Sequence, residues 1–142
     1  MEAADYSFYT LADQLSMMHK VESVTGILLT GQQVLLLKRK ETDRTYRGYC
    51  LVGGKVDAGE SLEEALIREV NEEIGLQVTN CTYYETHEND RFIIHFFWIE
   101  VENLASIQLN LDEFDDYDFF NLNELPPETL PITKQVLLKL KP

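Results

Sequence analysis

Between Ser61 and Gly75 the chain reads SLEEALIREVNEEIG, a stretch that leaves little freedom of structure. Ser61 followed three residues on by Glu64 forms a capping box. The serine hydroxyl and the glutamate carboxylate each satisfy an N–H that the first helical turn leaves free. Gly75 stands where a helix end wants a left-handed residue. This pattern predicts a helix over 62–74. On a wheel of about 100° per residue with Leu62 at zero, Leu66, Val70 and Ile74 fall at about 40°, 80° and 120°. They mark the apolar face.

Three carboxylates then stand oddly for a solvated helix. Glu73 falls at about 20°, inside the apolar face, Glu69 at about 340° on its margin, and Glu72 at about 280°. Glu64 and Arg68, at about 200° and 240°, point away. Glu69 lies i,i+4 to Glu73 and i,i+3 to Glu72, so like charges face one another. Carboxylates beside a buried face also lose hydration. Arg68 does not point so as to serve all three. A hard divalent cation with oxygen ligands, Mg²⁺ or Mn²⁺, removes the repulsion. The wider stretch, Gly53 to Leu76, carries seven carboxylates against two basic groups, Lys55 and Arg68. The plain alternative is a charged, solvated helix.

Around this helix the chain alternates strand and helix signals. VESVTGILLTGQQVLLLKRK predicts two strands, about 21–30 and 33–40, around a turn at Thr30-Gly31. Segment 41–48 is a polar loop, and Tyr49 to Val52 is a short apolar piece running into Gly53-Gly54, expected as a turn. Further strands are expected at 76–88, 91–101 and 117–122, with RFIIHFFWIEV as a buried central strand. Pro126-Pro127 breaks the chain before an amphipathic helix at 129–140. Phe8, Leu11, Ala12, Leu15 and Met18 have helical spacing within 3–19. The expected class is α/β, with helices packed on a mixed sheet. The chain is expected to be one domain over 1–142, with residues 1–20 a helical extension that docks on its own sheet or forms a homodimer contact.

Charge narrows the partners. With 25 acidic and 12 basic residues the net charge is −13, which disfavours nucleic acid polymers and anionic membranes. A small phosphorylated ligand stays open. No segment approaches the ~18 apolar residues of a membrane span, and residues 1–19 carry no signal-peptide pattern. Cys50 and Cys81 have no CxxC spacing and read as free thiols of a cytoplasmic protein.

The order Gly54, five residues, Glu60, seven residues, then Arg68-Glu69-Val70-Asn71-Glu72-Glu73-Ile74-Gly75-Leu76 resembles the Nudix box without a gap. Seven fixed letters and both aliphatic positions agree. At about one in fourteen per letter, chance gives on the order of 10⁻⁸ per start position. The resemblance, to MutT-like Nudix hydrolases, implies an α/β/α sandwich. It implies a Mg²⁺-dependent pyrophosphohydrolase acting on a nucleoside triphosphate or another nucleoside diphosphate derivative. Glu69, Glu72 and Glu73 would bind the cations with the carbonyl of Gly53, while Arg68 and Glu60 support them. A metal-activated water would attack phosphorus, with Glu69 the first choice for base or water-orienting group. Glu113, six residues before Phe119, matches a further acidic ligand from outside the box, with Asp115 and Asp116 as rivals. An exposed acidic loop is the plain reading of the same residues.

Lys38, Arg39, Lys40, Arg44, Arg47 and Lys55 are six of the twelve basic residues, gathered within 18 positions. Such a rim suits a polyphosphate. Arg39 resembles the family's phosphate-contacting arginine, and Gly54 and Lys55 stand beside it as substrate-side residues. Lys38 and Lys40 read as surface. The family's usual Trp and Pro before the box are replaced within Tyr49-Cys50-Leu51-Val52. Thr133 stands where readers of oxidised purines carry asparagine. Tyr83, Tyr84, His87, Phe92 and His95 read first as packing and second as groups that stack on a base or sugar. The alternative function is a Nudix-fold module that binds a nucleotide without turning it over.

Overall fold

The computed structural model describes residues 20–42 and 47–140. The helix expected within 3–19, and Arg44, lie outside the described residues. In chain order the elements are β1 (Val21–Ile27), β2 (Leu29–Thr30), β3 (Gln33–Arg39), β4 (Tyr49–Cys50), β5 (Val52–Lys55) and α1 (Leu62–Ile74). There follow β6 (Val78–Glu88), β7 (Phe92–Val101), a short 3-10 turn at Leu104–Ser106, β8 (Phe114–Asn121) and α2 (Pro131–Leu138).

The strands form two sheets. One has the order β5-β1-β7-β6, in which β1 and β7 run parallel and the other pairs antiparallel. In the other, β3 pairs antiparallel with β2, β4 and β8. β7 is central in its sheet, as its long apolar run predicts.

Two expectations fail in one way. The strand expected over 21–30 divides at Leu28, so that β1 and β2 join different sheets. The apolar piece at 49–52 divides at Leu51, with β4 in one sheet and β5 in the other. Leu28 and Leu51 are 3% and 5% exposed. Their burial keeps the apolar pattern unbroken where the chain changes sheet, so hydropathy alone does not mark the crossing. Gly53 and Gly54 are likewise strand residues, paired with Thr25 and Val24, and not a turn. β8 starts three residues earlier than expected, because Asp115 and Asp116 weaken its strand signal. Asp116 and Asp118 accept the N–H groups of Tyr117 and Phe119 at 2.8 Å, which denies those groups to a further strand.

Alternation along the strands builds two cores. Leu35 and Leu37 of β3 join Val24, Val52, Phe97 and Ile99 beneath Ala65, Leu66, Val70 and Ile74 of α1. Val34 and Leu36 join Ile27, Phe96 and Leu122 beneath Val136 and Leu137 of α2. Each helix therefore closes one face of the paired sheets, giving an α/β/α sandwich. α2 opens with Pro131 in its first turn, where a missing N–H costs nothing. Its helix is two residues shorter at each end than expected. Among the described residues no helix is long and apolar enough to cross a membrane.

Candidate active site

α1 starts and stops as its sequence dictates. Ser61 Oγ accepts the Glu64 N–H at 3.1 Å, Glu64 Oε1 accepts the Ser61 N–H at 3.4 Å, and Gly75 is left-handed at φ 68°. These caps fix the rotation of the helix, and rotation decides which carboxylates meet the sheet. Glu73 lands in the buried face at 4% exposure, and its Oε1 accepts the N–H of Gly53 at 2.7 Å. Glu69 lies one turn earlier, over Gly54. A Cβ on Gly54 would stand 2.5 Å from the Glu69 carboxyl carbon, so only glycine leaves that carboxylate its place. Gly53 is held harder still: its φ is 153°, and a Cβ there would meet Val24 O at 2.1 Å.

Arg68 is the hub of the exposed side. Its Nε and Nη2 grip the two oxygens of Glu60 at 2.7 and 2.9 Å, and Nη2 also reaches the carbonyl of Lys55 at 2.9 Å. Nη1 bonds Glu69 at 2.9 Å and Glu72 at 3.2 Å. The wheel direction of Arg68 points away from the apolar face, but a guanidinium with five donors on a long stem reaches back to two of the three carboxylates. Glu73 is left to Gly53. Asp57, which the sequence did not single out, stands 3.4 Å from Nη2 and gives its N–H to Glu60 at 2.8 Å.

Charge at the site is unevenly tolerated. The Arg68 bond, then the Asp57 N–H, hold the Glu60 carboxyl down at about 2. Burial pushes Glu73 well above the usual carboxylate range; the Gly53 N–H and Arg39 oppose it, while Glu69 and Glu113 add to it. Burial also raises Glu69, against the pull of Arg68, with Glu72 and Glu113 adding to the rise. Glu113 and Arg39 therefore act on the same point from outside the helix.

Local structure explains how they arrive there. Arg39 ends β3 with its guanidinium 5.8 Å from the centre of the Phe114 ring. Glu113 immediately precedes β8, and its carbonyl accepts the Lys40 N–H at 3.3 Å. Of its rivals, Asp115 accepts the Glu41 N–H at 3.2 Å and Asp116 the Tyr117 N–H. Lys55 offers its carbonyl to Arg68, and Lys38 lies 3.9 Å from Glu41. Tyr83, Thr86 and His95 bond one another in series at 2.8 and 2.9 Å, Tyr84 packs on Trp98 and His87 on Phe96. Those contacts are packing within β6 and β7. Tyr49 packs edge-on against Phe120, in the place of the expected tryptophan. Thr133 is buried at 2%. Cys50 and Cys81 are free thiols.

Glu69, Glu72, Glu73 and Glu113 offer oxygen donors alone, and burial raises Glu73 with only the Gly53 N–H and Arg39 opposing it. That donor set fits a hard divalent cation. Among the described residues, however, no three His, Cys, Asp or Glu side chains are drawn into a formed metal cluster. Arg68 bridges Glu69 and Glu72 instead. Gly53 meets Glu73 through its N–H, whereas the resemblance assigns a role to its carbonyl.

Known proteins share this sequence pattern and fold. A family model, the NUDIX domain, matches residues 19–140. An ADP-ribose pyrophosphatase of Methanocaldococcus jannaschii is 32% identical over 115 residues, 77% of this chain and 66% of that protein. The nucleoside triphosphatase NudI of Klebsiella pneumoniae is 31% identical, covering 80% of this chain and 91% of its own length. NAD-capped RNA hydrolases NudC of Pseudomonas aeruginosa reach 33% identity, but the chain spans only 40% of their length. Among solved structures, a MutT NUDIX hydrolase from Burkholderia pseudomallei superposes with a TM-score of 0.75 at 22% identity, covering 87% of this chain and 99% of that one. With its sandwich fold and its box helix set against Gly53 and Gly54, the chain belongs to the Nudix hydrolase family.

Proposed function

We propose that the protein is a Mg²⁺-dependent pyrophosphohydrolase that cleaves the diphosphate linkage of a nucleoside triphosphate or another nucleoside diphosphate derivative. The observation that carries this is the buried Glu73 carboxyl, set beside Glu69 and within electrostatic reach of both Glu113 and Arg39. An acidic helix without a function would turn these groups to water. The names of the relatives, an ADP-ribose pyrophosphatase and a nucleoside triphosphatase, support a nucleotide substrate.

Glu69, Glu72, Glu73 and Glu113, with the Gly53 carbonyl, would hold Mg²⁺ or Mn²⁺. When bound, such cations would acidify a water they hold and neutralise charge on phosphoryl oxygens. The remaining work falls to the chain. Arg39, Lys55 and Gly54 receive the diphosphate, with Arg39 matched to its oxygens. Glu69 orients the attacking water and takes its proton as it adds to phosphorus. Arg68, fixed by Glu60, keeps Glu69 and Glu72 in position. The acidic surface disfavours a nucleic acid polymer and leaves a small nucleotide open, and two free thiols suit a cytoplasmic place of action. Residues 1–142 form a single domain in this reading.

Incubation with a nucleotide panel that includes ADP-ribose and nucleoside triphosphates, with Mg²⁺, tests it. Release of a mononucleotide is expected. Tight binding with no turnover under any divalent cation would instead identify a nucleotide-binding module.

A further inference from the structure

We propose that Asn110 is the residue that positions Glu113 against Glu73, a role that rests on the placing of Glu113 in the active site. The last carbonyls of a helix have no partner within it. At the end of α1 the chain returns to supply them: the carbonyl of Glu73 accepts the Asn110 N–H at 2.9 Å, and that of Ile74 accepts the Gln108 N–H at 2.9 Å. Asn110 then reverses the chain. Its own carbonyl accepts the N–H groups of Glu113 at 3.2 Å and Phe114 at 3.0 Å, and its side-chain Oδ1 accepts the Asp112 N–H at 3.0 Å. One residue thus bonds the backbone of the buried carboxylate on one side and that of Glu113 on the other.

Burial anchors the flanks of this turn, where Leu109 packs on the core and Phe114 is 1% exposed, but not the turn itself. Leu111 at its tip is 65% exposed, and Asp112 and Glu113 face solvent. Hydrogen bonds must fix it, and those of Asn110 close it from both ends. The Lys40 N–H on the Glu113 carbonyl ties the far side to the end of β3, next to Arg39. Glu113 is therefore set in register with the box helix and with the phosphate-side arginine together. Without the Oδ1 bond the turn widens, and the Glu113 carboxylate samples positions away from Glu73. Asn110 touches no substrate in this scheme and is a positioning residue.

The test uses Asn110→Ala, with Asn110→Asp as the variant that keeps an acceptor at Oδ1. In metal-free protein, amide exchange at Asp112 and Glu113 is expected to quicken about fivefold in Asn110→Ala, the scale of one lost hydrogen bond, with the rest of β3 and β8 unchanged. Mn²⁺ should bind correspondingly more weakly. Turnover of ADP-ribose or a nucleoside triphosphate, whichever the parent cleaves, should fall about fivefold or more in kcat with KM unchanged. Asn110→Asp should restore each property, and Asn110→Ala should add no loss to Glu113→Gln. Should Asn110→Ala fail to fold, Asn110→Ser, with its shorter acceptor, is expected to show the same changes in weaker form.

A Glu113→Gln loss combined with parent-like exchange and kcat in the Asn110 variants overturns the role of Asn110 and leaves Glu113 in the site. Full activity in Glu113→Gln removes Glu113 from the site and overturns the proposal with it. If the parent cleaves nothing, the hydrolase reading has failed, and exchange and Mn²⁺ affinity decide the role of Asn110.

Discussion

Gly53 donates its N–H to Oε1 of Glu73 across 2.7 Å, from a strand to the helix that covers it. This bond leaves the carboxylate without a full countercharge, because Gly53 brings a dipole and Arg68 is occupied with Glu60, Glu69 and Glu72.

A first consequence concerns pH in chelator. Burial raises the folded-state pKa of Glu73 above its unfolded value. The folded protein then binds that proton more tightly. The stability this contributes is complete below the unfolded pKa and is lost as pH rises through the folded one. Glu73→Gln keeps an oxygen for Gly53 and removes the charge. In chelator near pH 8 the variant should melt higher than the parent by about 3 °C, the scale of ~1 kcal/mol in a chain of this size. Added Mg²⁺ should raise the parent and not the variant, so that the gap closes or reverses. Thermal melts with and without Mg²⁺ read both.

Adjacent glycines should behave differently. Gly53→Ala drives a Cβ into the backbone of Val24 and Thr25 at a φ of 153°, and should cost about 3 kcal/mol or more in urea unfolding. Gly54→Ala meets only the end of the Glu69 side chain, which can swing aside. Its stability should stay within about 1 kcal/mol of the parent. Its turnover should fall about 100-fold, because the displaced group is the one proposed to orient water.

Glu60 supplies the opposite pH signature. Its carboxyl is depressed to about 2 by Arg68, so its contribution is present above the unfolded value and is lost as pH falls through the folded one. Urea midpoints of the parent should drop between about pH 4.5 and 2. Glu60→Gln should be weaker near pH 6 and flatter across that window. An equal slope in the two proteins would show that the Arg68–Glu60 pair has no bearing on stability.

Helix rotation was legible because the caps and the apolar face agree, and the burial of Glu73 follows from them. The role of Arg68 as hub was only half legible, since a wheel gives the direction of Cβ and not the reach of a guanidinium. Sheet crossings at Leu28 and Leu51 left no mark, because both residues are buried and their neighbours are apolar. Glu113 was reached by resemblance alone. The turn that holds it has a local sign, the Asn110-Leu111-Asp112 sequence that favours an asparagine-closed turn. Its attachment to the end of α1 is long-range pairing that periodicity does not report.

Box-helix carboxylates that bind the cation driving hydrolysis of a nucleotide diphosphate linkage cannot be replaced without loss of turnover. Mononucleotide release with Mg²⁺ is to be measured side by side for the parent, Glu72→Gln and Glu73→Gln. Release by the parent and a loss of about 10²–10³-fold in each variant are expected. Turnover that is absent in the parent, or unchanged when either glutamate is replaced, would contradict that role.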